Sequence, residues 1–290
     1  MAVATLEAFG LLGVSKECRM PNYICTTCGN QHGESKEPPL HCPICEDERQ
    51  YVNPEGQSWI TLDELRRGHR SVVRPLEPGL LEIETEPTFA IGQRALLVQA
   101  PNGNVLWDCV SLVDNATIDA IRALGGISAL AMSHPHMFGS MVEWSHAFGK
   151  APIHLHAAFK KWVQRPDPVI EFWEGEDYKL DEGPTLQRCG GHFTASTALL
   201  WREGAEGRGV LLSSDTIHVV KDRRHVSFMY SYPNYIPLAA ATIDGIVAKV
   251  MPLKFDRIYS HFHHLDIRAD AKGAIQRSAE RYKQAIGGRS

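Results

Sequence analysis

The chain has 290 residues, 43% of them hydrophobic, a formal net charge of −4 and an isoelectric point of about 6.4. This length can bury a sizeable core and suits one large domain with a smaller one. The acidic balance argues against a nucleic-acid-binding surface. No apolar run reaches about 18 residues, so no membrane span is expected.

The N-terminus indicates no export signal. Residues 1–14 lack a basic start and include Glu7, which is not typical of a signal peptide. We therefore expect a cytoplasmic protein that acts on a small-molecule substrate, without a nucleic-acid or membrane partner. The sequence leaves open whether the chain forms a homo-oligomer.

Four of the seven cysteines form two Cys-x-x-Cys pairs, Cys25 with Cys28 and Cys42 with Cys45. Each pair turns two thiolates toward one point, and two such pairs make a tetrahedral four-sulfur site. The pattern resembles a zinc ribbon and also the iron-binding rubredoxin-like modules. We predict structural zinc, with iron as the alternative, since closed four-thiolate sites most often hold zinc. Two disulfides would need an oxidising compartment.

We divide the chain into an N-terminal segment at 1–20, the four-cysteine zinc ribbon at 21–52, a linker at 53–75 and a large domain at 76–290. Within the linker, Thr61 and Glu64 have the spacing of a capped helical turn. The ribbon is too small to build a core, so its metal would hold it folded. The other cysteines are interpreted as ordinary buried or near-buried thiols: Cys18, Cys109 and Cys189.

The large domain begins with predicted strands near residue 79. Asn102-Gly103 between two apolar runs predicts a hairpin, and 115–124 reads as a helix ended by two glycines. Asp108 ends its strand, where we expect it to support the site without binding metal. A second long helix is predicted at 270–286 with Asp270 as its N-cap.

His134 and His136 follow an apolar run that predicts a buried strand. In an extended chain, residues two apart point to the same side, and Pro135 disfavours helical geometry at His134. Two converging imidazoles are a good start for a metal site. The second His-x-His, at His154 and His156, lies in the next predicted strand and is interpreted as surface or packed side chains.

Three more strand ends carry metal-binding residue types: His192 after two glycines, Asp215 and His261. In order, these residues match His-x-His-x-Asp-His, Gly-His, Asp and His, and so resemble the metallo-β-lactamase superfamily. The resemblance covers roughly residue 76 to the end. An ordered set is far more specific than any of its pieces.

The resemblance implies an α/β (α+β) fold in which an αββα sandwich carries the site. It also implies that His134, His136 and His192 bind one zinc ion and that Asp215 bridges to a second ion. A water on the first ion would attack the substrate. Asp215 would take its proton, and His261 would assist at the developing oxyanion or bind a weak second metal with Asp215.

The departure from the family pattern lies at Phe138 and Gly139, which stand where the family has Asp-His. The second metal site thereby loses two of its ligands. Glu143 or His146 in the following helix could replace them, although most such residues are only solvated or packed. Two residues remain as alternatives to His261: His263 and His264.

We therefore predict a zinc-dependent hydrolase of ester, thioester or lactone bonds with an incomplete second metal site. Phosphodiester cleavage commonly needs two metals and is less favoured. One alternative is a weak or inactive binding protein with this fold, and another is an iron-dependent redox protein. The aromatic segment 226–235 either walls the pocket or packs as a loop.

Overall fold

The computed structural model describes residues 20–287, which form a mixed α/β fold with two large sheets packed face to face. Helices cover the outer face of each sheet. This is the αββα arrangement that the resemblance predicts, with a small four-cysteine module beside it. None of the helices in this part of the chain is long and apolar enough to cross a membrane.

The four-cysteine module contains a small antiparallel sheet with strand β1 in its middle. Its elements in chain order are β1 Asn22–Cys25, β2 Gln31–Glu34, β3 Trp59–Thr61 and helix α1 Leu62–Gly68. Thr61 and Glu64 form the predicted capping box at the start of α1. Because β3 pairs with β1, part of the predicted linker belongs to this sheet.

The first large sheet has seven strands, of which the first four in the chain are antiparallel and the later pairs parallel. Its elements in chain order are β4 Arg70–Glu77, β5 Leu80–Glu86, β6 Ala95–Ala100, β7 Gly103–Trp107, α2 Asn115–Ala123, β8 Ala129–Ala131, α3 Met141–Ala147, β9 Ile153–His156 and β10 Ile170–Trp173. They pair in the order β10-β9-β8-β7-β6-β5-β4. Helices α2 and α3 provide the crossovers on either side of β8.

The second large sheet has six strands, and only one pair among these described strands is parallel. The remaining elements are β11 Asp177–Lys179, β12 Thr185–Arg188, β13 Thr197–Trp201, β14 Val210–Leu212, β15 His218–Val219, β16 Val226–Ser227, β17 Met229–Ser231, β18 Ile236–Pro237, α4 Ala240–Val250, β19 Arg257–Tyr259, β20 Asp266–Ile267 and α5 Ala271–Ile286. The sheet order is β11-β12-β13-β14-β19-β20, and β15 to β18 form two small hairpins.

Alternation along the strands explains the layers. In β6, Leu96 and Val98 join the core between the two sheets, while Ala95 and Leu97 join the core under the helices. Period-two alternation with apolar residues on both sides is what a strand covered on both faces requires. The site then lies beyond the carboxyl ends of parallel strands, where open α/β sheets bind ligands.

The predicted linker, 53–75, contains β3, α1 and much of β4. Two finer sequence predictions need correction. The hairpin forms, but Ala100 pairs with Gly103, so Pro101 and Asn102 make its turn. Asp270 precedes α5 in a left-handed conformation and its side chain does not cap the helix; it pairs with Arg277 instead.

The domain boundaries at residues 20, 52 and 75 stay predictions. Cys18 lies outside the described residues. Cys109 and Cys189 are buried, as the sequence suggests.

Candidate metal centre

His134 and His136 converge, but not through an extended strand. Strand β8 ends at Ala131, His134 keeps an extended backbone, and Pro135–Met137 forms a 3-10 turn. The fixed φ of Pro135 suits the first position of such a turn. The prediction that the histidines lie together is therefore right in position, but its strand-based reason is wrong.

The two histidines meet His192, which follows β12 through Gly190 and Gly191. The ring centroids of these three side chains lie 4.8 to 5.0 Å apart. Nε2 of His192 is 3.2 Å from Nδ1 of His136. All three imidazoles are buried, which places three potential nitrogen ligands around one point.

Asp215 completes this group from the second sheet. It lies in the 3-10 turn Ser214–Ile217 after β14, and its Oδ2 is 3.2 Å from Nε2 of His134 and 3.9 Å from Nε2 of His192. The four ligand atoms lie within 4.8 Å of one another. Nε2 of His134 nevertheless has no hydrogen-bond partner among residues 20–287. An unsatisfied buried nitrogen beside a carboxylate oxygen fits a shared metal ion.

His261, after β19, faces the other carboxylate oxygen. Its Nε2 is 3.2 Å from Oδ1 of Asp215. Two buried contacts fix the adjoining backbone: Arg94 donates from its backbone N–H to the carbonyl of His261 at 2.8 Å and from Nη2 to the carbonyl of Ser260 at 2.7 Å. The alternatives lie elsewhere, since His263 contacts Glu82 at 2.7 Å and His264 is exposed.

His218 is the residue that the sequence analysis missed. Its Nδ1 is 3.5 Å from Oδ1 of Asp215, so Asp215, His218 and His261 form a second group of potential ligands. The only sequence signal was the Asp-x-x-His spacing. That spacing recurs at Asp222 and His225, which pair on the surface, so it could not single out His218.

Neighbouring polar groups orient the histidines. Ser133 donates from its backbone N–H and its hydroxyl to the buried carboxylate of Asp108, at 2.8 and 3.0 Å. Its oxygen, 2.9 Å from Nδ1 of His134, then accepts the Nδ1 proton and leaves the Nε2 lone pair toward the site. The carbonyl of Met229 lies 3.2 Å from Nδ1 of His192 and has the same effect there. Asp108 thus has the supporting position that the sequence predicts.

The electrostatics suit metal binding at neutral pH. Burial lowers the pKa of His136 well below its usual range, that of His192 to about 4 and that of His261 to about 3. Burial alone would raise the pKa of Asp215, but His261, His134 and His218 around it hold that pKa well below its ordinary value. His136, His192 and His261 are therefore neutral at that pH and lie near a charged carboxylate, and these are the forms that bind metals.

The proposed replacements for the lost ligands do not reach the site. Glu143 pairs with Arg165 at 2.5 Å, and Nε2 of His146 lies 3.1 Å from Oδ2 of Asp167. A further group of possible metal ligands lies around Glu82. The buried guanidinium of Arg94 pairs with Glu82 at 2.6 Å and neutralises its charge. We interpret that group as an ion-pair network.

The four-cysteine cluster has the geometry of a metal site. Cys25 and Cys45 have their Sγ atoms 3.5 Å apart, and Cys28 and Cys42 have theirs 3.6 Å apart. These distances are too long for a disulfide of about 2.0 Å and near the sulfur separation around a tetrahedral ion. Gln57 donates from Nε2 to Cys25 Sγ at 2.9 Å, a contact that stabilises a thiolate.

The pocket beside the histidines receives part of its wall from the four-cysteine module. A cavity of about 210 Å³ opens there, lined by members of both metal-ligand groups together with Arg49, Gln50, Ile91, Tyr232, Pro233 and Phe262. The aromatic segment 226–235 therefore does reach the pocket. Its Tyr232 hydroxyl donates to the backbone carbonyl of Asp215 at 3.1 Å.

Arg49 is the only lysine or arginine among the described residues that line this pocket. Asp47 neutralises it through two contacts of 2.5 and 2.8 Å, and its guanidinium lies 3.8 Å from the ring centroid of Phe193. It also donates to the carbonyl of His192 at 3.4 Å. Arg49 therefore joins the four-cysteine module to a metal-site loop.

Comparison with known proteins gives a close relative by sequence. No protein-family model matches the chain. The uncharacterized protein YmaE of Bacillus subtilis (strain 168) is 50% identical over 269 residues, which cover 92% of this chain and 97% of YmaE.

Solved structures show the fold. VMB-1 matches with a TM-score of 0.57 and 12% identity, over 76% of this chain and 99% of VMB-1. The DIM-1 metallo-β-lactamase matches at 0.55 and 9%, over 75% and 98% of the two chains. A B3 metallo-β-lactamase with an active-site glutamic acid matches at 0.53 and 15%, over 79% and 94%. The chain therefore has the metallo-β-lactamase fold.

Proposed function

This chain belongs to the same family as YmaE of Bacillus subtilis, and from the geometry of its candidate metal centre we propose that it is a metal-dependent hydrolase. The observation that supports this proposal most directly is the group of His134, His136, His192 and Asp215 at the edge of a cavity. Three imidazoles suit zinc and leave its fourth position for water or substrate, and the Asp215 carboxylate lies beside them. We propose zinc there and a structural zinc in the four-cysteine module.

The zinc ion and the residues of the chain would have different roles in the reaction. When bound, a zinc ion would lower the pKa of a water molecule and polarise the substrate's carbonyl group. Asp215 keeps its charge between the two histidine groups, from where it can accept a hydrogen bond from the attacking water and hold that water in line. His261 lies on the far side of that carboxylate, where it stabilises the developing oxyanion directly or through an ion. Asp215 and His261 are thus the proposed catalytic residues.

The pocket favours a small acyl substrate. Its volume of about 210 Å³ lies below the range of roughly 300–1,000 Å³ that is typical of ligand sites. Ile91, Pro233 and Phe262 give it an apolar wall, and the nearby Arg49 is already paired with Asp47. Because the described lining offers no unpaired lysine or arginine to bind a phosphoryl group, we propose ester, thioester or lactone bonds as the ones cleaved.

The experiment compares His134→Gln with His154→Gln. His154 belongs to the second His-x-His, is also buried and lies in β9 outside both ligand groups, so it is a matched control. Each purified protein would be loaded with Zn²⁺ and assayed on a small aryl ester, a thioester, a lactone and bis(p-nitrophenyl) phosphate. Bound metal would be counted in the same samples.

We expect the wild type and His154→Gln to cleave at least one acyl substrate. His134→Gln should lose one ion and about 100-fold or more in kcat/KM, since the activation of the attacking water depends on that ion. Equal metal content and activity in both variants would refute the site. Full metal binding without cleavage would favour the binding-protein alternative. Iron in the protein as purified, before zinc loading, together with redox activity would favour the iron-dependent redox alternative.

A further inference from the structure

We propose that Asp215, His218 and His261 bind a second divalent transition-metal ion, with His218 replacing ligands that this chain lacks. The proposal rests on the proposed function because it concerns the same site. It departs from the expectation of an incomplete second site, which was based on Phe138 and Gly139 alone.

The first argument is that the two oxygens of the Asp215 carboxylate face different histidines. Its Oδ2 faces His134 at 3.2 Å, whereas its Oδ1 faces His261 at 3.2 Å and His218 at 3.5 Å. The ligand atoms of Asp215, His218 and His261 lie within 4.8 Å of one another. One carboxylate thus presents one oxygen to each histidine group, as a ligand that bridges two ions does.

The second argument is that buried ring nitrogens of His218 and His261 lack hydrogen-bond partners among the described residues. Nδ1 of His218 and both ring nitrogens of His261 have no hydrogen-bond partner within the described part of the chain. The two side chains are only 15% and 2% exposed, so solvent hardly reaches them. Buried nitrogens normally have a partner. An ion between the rings would provide one for each ring.

The third argument is that the ligands are held in place without the ion. Ser213 donates from its hydroxyl to the carbonyl of Ile217 at 2.6 Å, which closes the turn before His218. The Tyr232 ring packs 4.7 Å from that of His218, and its hydroxyl fixes the backbone of Asp215. Ligands whose backbone and rings are already ordered lose little entropy on binding.

The ligand types select the class of ion. Two imidazoles and one carboxylate suit first-row divalent metals such as Zn²⁺, Fe²⁺ or Mn²⁺. Mg²⁺ and Ca²⁺ prefer oxygen ligands and would gain little from His218 and His261. We therefore expect the second ion to be of the same chemical class as the first.

The experiment counts ions in the full-length protein and uses a control that the chain itself provides. His218→Gln removes the new ligand, and His225→Gln removes a histidine with the same Asp-x-x-His spacing outside the site. Each protein would be equilibrated with Zn²⁺, desalted and analysed by mass spectrometry. We expect three ions per chain in the wild type and His225→Gln, and two in His218→Gln, one ion in each case being that of the four-cysteine cluster.

A titration gives the affinity of the weakest ion, which should fall about tenfold or more in His218→Gln. Two ions in the wild type, or three in His218→Gln with unchanged affinity, would overturn the proposal. These counts leave the proposed function intact, because that function fails only if His134→Gln keeps its metal or if no acyl bond is cleaved.

A second measurement needs no variant. Wild type loaded with Co²⁺ should show, by electron paramagnetic resonance, two magnetically coupled ions bridged by Asp215, together with the isolated ion of the four-cysteine cluster. Only isolated Co²⁺ signals at full loading would overturn the proposal, even if His218→Gln did not fold.

Discussion

Gln31 of the four-cysteine module donates a backbone hydrogen bond across 3.0 Å to the carbonyl oxygen of Gly139. Gly139 and the buried Phe138 occupy the place where the resemblance expects two metal ligands. On the same side of the site, Ser111 donates to the carbonyl of Gly29 at 2.7 Å. The module therefore packs against the segment that lost its ligands, while His218 approaches from the small hairpin of β15 and β16.

Gly139→Ala should be clearly destabilising. Gly139 has a φ of +49°, and a Cβ there would lie 2.9 Å from the backbone oxygen of Cys109. Gly149 also has a positive φ, of +74°, but a Cβ there would meet no described atom within 4 Å. We expect Gly149→Ala to cost about 1 kcal/mol from backbone strain alone and Gly139→Ala about 2–4 kcal/mol. Urea unfolding of both variants measures this, and equal losses would show that the close packing has no effect.

Cys25→Ser should remove one ion per chain and loosen the module. Cys189→Ser is the control, since Cys189 is buried outside the cluster. Structural ions contribute directly to folding, so Cys25→Ser should also unfold at a lower temperature. Metal analysis and calorimetry provide the readouts. A metal content equal to that of Cys189→Ser would mean that the cluster binds no ion.

Arg49→Met should reduce activity without removing an ion. Arg49 contacts Phe193 and the carbonyl of His192, so its loss should loosen the pocket wall and reduce kcat/KM about tenfold. Arg49→Lys should have a kcat/KM little higher than that of Arg49→Met, because an ammonium group cannot reproduce the planar pairing with Asp47. Arg208→Met serves as the control, since Arg208 pairs with Asp256 on the surface. Full activity in Arg49→Met would show that the contacts of Arg49 with Phe193 and His192 do not influence catalysis.

Asp108 should make stability depend on pH. Burial raises its pKa to about 6 from an ordinary value of 3.8, despite the hydrogen bonds from Ser133. The folded chain therefore binds this proton more tightly than the unfolded chain. Its contribution to stability is present below about pH 4 and is lost as the pH rises to about 6.

The measurement is the free energy of unfolding of Asp108→Asn relative to the wild type. This difference should shift in favour of the variant by about 2 kcal/mol between pH 4 and pH 7. Asp177→Asn, at an exposed position, should show no such trend. Parallel curves for the wild type and Asp108→Asn would contradict a buried proton at this position.

The sequence by itself determined the features that depend on local spacing or on order along the chain. Each Cys-x-x-Cys turn is short and self-contained, so it fixes two thiolates near one point, and two such turns together indicate a four-sulfur site. The capping box at Thr61 and Glu64 is equally local. The ordered set from His134 to His261 predicted the fold class, since each member stands at the end of an element whose place in the fold is known.

Only the tertiary structure decided which of two identical spacings reaches the site. Asp215 and His218 face His261, whereas Asp222 and His225 pair on the surface. Docking of the four-cysteine module likewise brought Arg49 within 3.4 Å of the carbonyl of His192, 143 residues along the chain. Such contacts follow from how sheets and modules pack together, and local sequence pattern carries no information about distances between segments so far apart.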